Sequence, residues 1–256
     1  MNLTAEQIQS NYDTFMSNIE TYVSSPRKEK LLSYYKSIEE HLALAPASSR
    51  ESFHNCMPGG YVDHVNRVVE AALAMHETWS KFGTSTDTYT VEELVFSAIN
   101  HDLGKLGVGS KPCYLPNDND WQVKNQGAVY KINTELSYST IPDRSLFILQ
   151  SLNIPVSENE YLAIKLHDGL YDEANRAYLI SFQPESRLRT TLPIILHQVD
   201  MLASRVEWER DWLPKLANPQ AAKPKQQRMT SAAAKEQAMS KIGKANPGLL
   251  TALKSI

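Results

Sequence analysis

The sequence predicts an all-α protein, a helical bundle with a long, partly irregular loop at about 107–142 and a flexible C-terminal tail. Three observations point there. Apolar residues recur at i, i+3/i+4, i+7 spacing in several separate stretches, the period of a helix with one buried face. Three segments, Thr4-Ala-Glu-Gln7, Thr90-Val-Glu-Glu93 and Ser157-Glu-Asn-Glu160, have the form of capping boxes, in which side chains at both ends satisfy free amides of a helix start. Between the helical stretches, residues 107–145 are rich in Gly, Pro, Asn and Asp, the composition of turns and loops.

Taken in order, residues 1–45 read as helical, with Leu31, Leu32, Tyr35, Ile38 and Leu42 forming an apolar series that stops at Pro46. Pro58-Gly59-Gly60 breaks the chain before an amphipathic stretch in which Val65, Val68, Val69, Ala72, Leu73 and Met75 share a face. The helix opened by Thr90 runs through Leu94, Val95, Ala98 and Ile99 and ends near Gly104. The long loop has room for one small hairpin, and its length inside a compact domain suggests function. Helices resume over Asp143–Gln150, from Glu158 to His167, and over about 190–210. In the last, Leu192, Ile195, Leu196, Val199, Leu202, Ala203 and Val206 form the apolar stripe. The organisation expected is a helical extension over 1–49, a main domain over 50–213, and a basic, flexible tail over 214–256 ending in a weak helix.

A 42% hydrophobic and 21% charged composition excludes disordered and fibrous classes. No apolar run approaches the ~20 residues that span a bilayer. The polar N-terminal stretch lacks the apolar core of a signal peptide, so a cytoplasmic location is expected. Cys56 and Cys113, the two cysteines, are too few for a disulfide framework and read as reduced thiols. The net charge of −3 is unevenly spread: residues 214–256 carry eight Lys and Arg against Glu236 alone, a net of +7, which leaves −10 for the body. An acidic body repels polyanions, so nucleic acid is the weaker choice of partner unless the tail compensates.

Chemistry concentrates at Asn100-His101-Asp102-Leu103-Gly104-Lys105. Adjacent helix residues point ~100° apart, so His101 and Asp102 reach one ion only near a helix end or a local distortion, and Gly104 permits such an ending. A His beside a carboxylate suits divalent ions that accept mixed nitrogen and oxygen donors. This string, preceded by FHNCMPGGYVDHV and followed by ILHQVDMLASRVE, resembles the HD superfamily of metal-dependent phosphohydrolases over residues 50–210. The family's order is a helix His, a His-Asp pair and a distant helix Asp; the matching positions are His64, His101 with Asp102, and Asp200. His54 followed by Gly59-Gly60, the Leu-His-Asp-Gly of 166–169, and Leu196-His197-x-x-Asp200 are similar to segments of HD proteins of the 3′→5′ exoribonuclease type.

The resemblance implies an HD-domain helical bundle. It implies one divalent transition metal (Mn, Fe, Co, Zn or Ni) or Mg, held by His64, His101, Asp102 and Asp200. Two-metal members place a further His in the interval 105–165; this chain has none there, so a second metal is not expected. Asp102 is the expected group for orienting or deprotonating a water, Lys105 for pairing with a phosphate oxygen, and His167 for binding phosphate or protonating the leaving oxygen. His54 is expected at the substrate mouth. The substrate class implied is a nucleotide or related small phosphorylated metabolite. A 3′→5′ exonuclease or phosphodiesterase, and a non-catalytic nucleotide-binding HD domain that signals to a partner, are the alternatives. The resemblance also allows a homo-oligomer, and the tail's charge suits an acidic partner.

Plainer readings stand beside these. His167 and Asp168 fit a helix end, His197 fits simple packing, and His41 and His76 fit structural or surface roles. Trp208 and Trp212, with Glu207, Glu209 and Asp211, are expected to cover the domain edge. Trp121, Tyr114 and Tyr130 on the loop suit either stacking on a base or loop packing.

Overall fold

In a computed structural model, residues 3–83 and 86–214 are described. They fold into a helical assembly with one two-stranded sheet. The basic tail expected over 214–256, with its terminal helix, lies outside the described residues beyond Pro214.

The N-terminal stretch is divided into α1 (Ala5–Tyr22), α2 (Arg27–Ser37) and α3 (Glu39–Leu44). The long amphipathic helix α4 (Gly60–Lys81) follows, then α5 (Val91–Asn100). All three capping boxes are present with both reciprocal hydrogen bonds, at the starts of α1, α5 and α8 (Glu158–Leu166). α7 (Ile141–Ser151) opens two residues earlier than its apolar pattern suggests, because Thr140 accepts from the Asp143 amide and Pro142 fits the first turn. The short α9 (Arg176–Leu179) leads to α10 (Leu192–Asp211). No helix among the described residues is long and apolar enough to cross a membrane.

The expected loop carries more structure than its composition suggests. Strands β1 (Tyr114–Pro116) and β2 (Tyr130–Ile132) pair antiparallel, and between them lies a helix, α6 (Asp120–Gln126), capped by Asn119 and closed by Gly127. Buried Arg144 of α7 donates to the backbone oxygens of Gly104, Ser137 and Ser139, which pins this segment to the turn after α5.

One hydrophobic core joins the N-terminal helices to the rest. Phe15 and Ile19 of α1 and Tyr35 of α2 share it with Val65 and Val68 of α4, Leu94 and Ile99 of α5, Ile164 of α8 and Val199 of α10. α10 packs along α4 and α8, and α4 along α5. Its apolar stripe is narrower than expected: Leu202 and Val206 are exposed, while Leu192, Ile195, Leu196, Val199 and Ala203 are buried. Arg27 ties α2, α5 and α8 together, bonding Glu160 at 2.7 Å, pairing with Glu92, and lying over the Phe96 ring.

Candidate metal centre

Four helices deliver side chains to two adjoining triads, His64 with His101 and Asp200, and His101 with Asp102 and His167. His64 comes from the second turn of α4, His101 and Asp102 from the end of α5, His167 from the end of α8, and Asp200 from the middle of α10. His101 still has helical dihedrals, but Asp102 has left them (φ −101, ψ 10), and a 3-10 turn follows at Leu103–Leu106. That break lets two consecutive side chains face one site, as the His-Asp pair requires.

Gly104 has a different role from the one its place in the sequence suggests. It does not terminate the helix by a left-handed backbone; a Cβ there would come within 2.4 Å of the Ile141 backbone oxygen. Close approach of α7 is the constraint. Through that approach Ser145 Oγ accepts from the Gly104 amide at 2.8 Å and donates to the His101 carbonyl at 2.9 Å. α7 thereby holds the turn that carries His101 and Asp102.

His64 Nε2 lies 3.1 Å from Asp200 Oδ1 and 3.6 Å from Asp102 Oδ2; His101 Nε2 lies 3.8 and 3.4 Å from the same two atoms. Donors about 2.0–2.2 Å from a tetrahedral ion sit roughly 3.3–3.6 Å from one another, so these separations suit a cation. The Nε2 atoms of both histidines are fully buried and form no hydrogen bond. Each unsatisfied buried polar atom costs about 1–3 kcal/mol, and two facing the same carboxylates form a donor set that could hold a cation. A mixed nitrogen and oxygen donor set suits a divalent transition metal.

The far side of each imidazole is already engaged. His101 Nδ1 lies 2.8 Å from the Ala98 oxygen and His167 Nδ1 2.8 Å from the Ile164 oxygen. Those bonds fix the Nδ1–H tautomer and leave Nε2 for the site. His167 Nε2 lies 3.6 Å from Asp102 Oδ1, so His101, Asp102 and His167 form a second triad sharing His101 with the first. His167 therefore sits among the donors rather than outside them.

Electrostatics bind the cluster together. Burial opposes charge on His64, yet the carboxylates of Glu207 and Asp200 raise its pKa to about 10, a shift that a cation taking the place of the Nε2 proton would reverse. His167 rises to about 9 against its burial, through Asp102 and Asp168. Asp102 is held well below the usual carboxylate range despite burial, by Lys105 and the neighbouring histidines, and Asp200 is likewise lowered by His64, His101 and His167. Lys105 is partly covered with its ammonium on Asp102 Oδ2, and that partner raises its pKa although burial opposes it.

Glu207 corrects an expectation. It does not cover the domain edge: it is fully buried, with Oε1 3.1 Å from His64 Nδ1 and Oε2 3.0 Å from His54 Nδ1. The available signal is its position seven residues after Asp200, two helical turns along the same face. The same carboxylate binds His54 to the cluster, with the His54 and His64 rings 4.5 Å apart. His197 also has a definite place, its Nδ1 2.9 Å from the His167 carbonyl oxygen. His41 and His76 lie elsewhere, bonded to the Leu106 oxygen and the Tyr89 hydroxyl. On the loop, Trp121 is exposed, while Tyr114 and Tyr130 are partly covered and pushed up to about 12 by burial.

No family model, curated protein or solved structure matches the chain. The clusters themselves support a coarser statement: buried His, Asp and Glu side chains on α4, α5, α8 and α10 form groups that can hold a metal ion.

Proposed function

We propose that the chain is an HD-type phosphohydrolase that uses one divalent transition metal to cleave a phosphate ester or anhydride of a nucleotide or related small metabolite. The observation that carries the reading is the pair of buried, unbonded Nε2 atoms of His64 and His101 facing the carboxylates of Asp102 and Asp200. His64, His101 and Asp200 would hold the ion, with Asp102 reaching it from the adjoining group it forms with His101 and His167. A bound divalent ion would supply hydroxide near neutral pH and offset charge on phosphorus.

The chain's own groups provide the remainder. Asp102, buried at the cluster, is the group suited to orient an attacking water beside the ion. Lys105 brings a cation within reach of Asp102 and is the group for a phosphate oxygen. His167, its Nε2 3.6 Å from Asp102 Oδ1, is the residue suited to bind phosphate or protonate the leaving oxygen. His54 flanks the cluster, partly exposed, as the residue for the substrate side.

Phosphate release from a panel of ribo- and deoxynucleoside mono-, di- and triphosphates, with Mn²⁺, Co²⁺, Zn²⁺ or Mg²⁺ added in turn, checks the proposal. Metal-dependent release by the protein and none by Asp102→Ala supports it. Silence on nucleotides with cleavage of single-stranded RNA or DNA would instead favour an exonuclease. Metal-independent release that survives Asp102→Ala would overturn it.

A further inference from the structure

Glu207 shares one buried carboxylate between two imidazoles. Its Oε1 and Oε2 lie 3.1 and 3.2 Å from His64 Nδ1, and Oε2 lies 3.0 Å from His54 Nδ1. Arg67, one turn beyond Asp63 on α4, backs the same group at 3.5 Å from Oε1 and also reaches Asp63. Asp200 and Glu207 lie two turns apart on α10, and both touch His64, one at each ring nitrogen. The His64 ring is thus held from behind by a charged acceptor while its other nitrogen faces the cluster, buried and unbonded.

We propose that Glu207 is the positioning residue of this metal centre, resting on the metal-binding reading above. Accepting the Nδ1 proton of His64 fixes the ring's orientation and tautomer, so that the Nε2 lone pair faces Asp200 and Asp102. A carboxylate behind an imidazole also makes that imidazole a stronger donor. Since the same carboxylate holds His54, the segment before α4 is anchored to the metal-facing histidine by one side chain. α10 then has two separate tasks: Asp200 offers a donor atom, and Glu207 aims another residue's donor atom.

The decisive experiment is a Co²⁺ titration of the chelator-treated full chain, read by calorimetry and by the visible absorption of the bound ion. Glu207→Gln, Glu207→Asp and Asp200→Ala are compared with the unaltered protein, and circular dichroism monitors folding. Glu207→Gln keeps the shape and removes the charge; its affinity is expected to fall about 10–100-fold with a changed cobalt spectrum. Glu207→Asp keeps the charge on a shorter arm and is expected to fall between the two, and it carries the comparison if the Gln variant fails to fold. Asp200→Ala is expected to lose binding more completely. Unchanged affinity and spectrum in a folded Glu207 variant would overturn the positioning role alone. Failure of the unaltered protein to take up Co²⁺ would overturn the metal-binding reading and this inference with it.

Discussion

The imidazole of His197 lies against Gly169, and its Nδ1 is 2.9 Å from the backbone oxygen of His167. Gly169 has φ +57, and a Cβ there would come within 2.1 Å of His197 Cε1. Gly169→Ala is therefore expected to destabilise the protein by more than about 1 kcal/mol and to displace His167. Thermal denaturation and the hydrolysis rate measured together check this. An unchanged melting temperature with full activity would show that the glycine is dispensable.

Asp102→Ala removes a buried carboxylate at the cluster and little core packing, so hydrolysis should vanish while the far-UV circular dichroism stays helical. Lys105→Ala should act chiefly on substrate binding, raising KM more than it lowers kcat. A variant with the original KM would limit Lys105 to neutralising Asp102.

Ser145→Ala leaves the buried Gly104 amide without its acceptor, a loss of about 1–3 kcal/mol. Because that amide belongs to the turn carrying Asp102, metal affinity should fall along with stability. Chemical denaturation and metal titration of the same preparation would reveal whether the two move together.

Arg27 and Glu160 form an ion pair whose acid is fully buried. Arg27→Ala strands that charge and should cost about 3–5 kcal/mol near neutral pH. Burial already raises the Glu160 pKa above 4.5, with Ser157 and Arg27 opposing, and removing Arg27 raises it further. A carboxyl whose folded pKa exceeds its unfolded value favours folding when protonated. The loss should therefore be largest above the folded pKa and shrink as pH falls through it toward 4.5. A destabilisation that grows on mild acidification would contradict this pairing.

Much of the fold was legible because it is local. Thr4, Thr90 and Ser157 announce helix starts by side chains that bond within three residues, and a periodic stripe such as Val65–Val68–Val69–Ala72 needs no partner to be recognised. The cluster was legible where a residue type is unusual for its place, as with His101 and Asp102 at the end of an apolar helix. Glu207 was hidden because an acid among Trp208, Glu209 and Asp211 reads as surface; only the packing of α10 on α4 buries it beside His64. Gly104 was recognised as necessary for the wrong reason, since the Ile141 oxygen that excludes a side chain comes from a segment 37 residues later. α6 is not legible in the sequence because it lies within a stretch whose Gly, Asn and Asp content resembles a loop throughout.

The most direct measurement is elemental analysis of the purified full chain after loading with Mn²⁺, Co²⁺ or Zn²⁺ and exhaustive dialysis, beside Asp200→Ala and His101→Ala. About one tightly held ion per chain is expected, as a set of imidazole and carboxylate donors with a position open to water would bind, and its loss is expected in both variants with the helical content retained. Metal retained equally by the variants, or absent from the unaltered protein after loading with each ion, would contradict it.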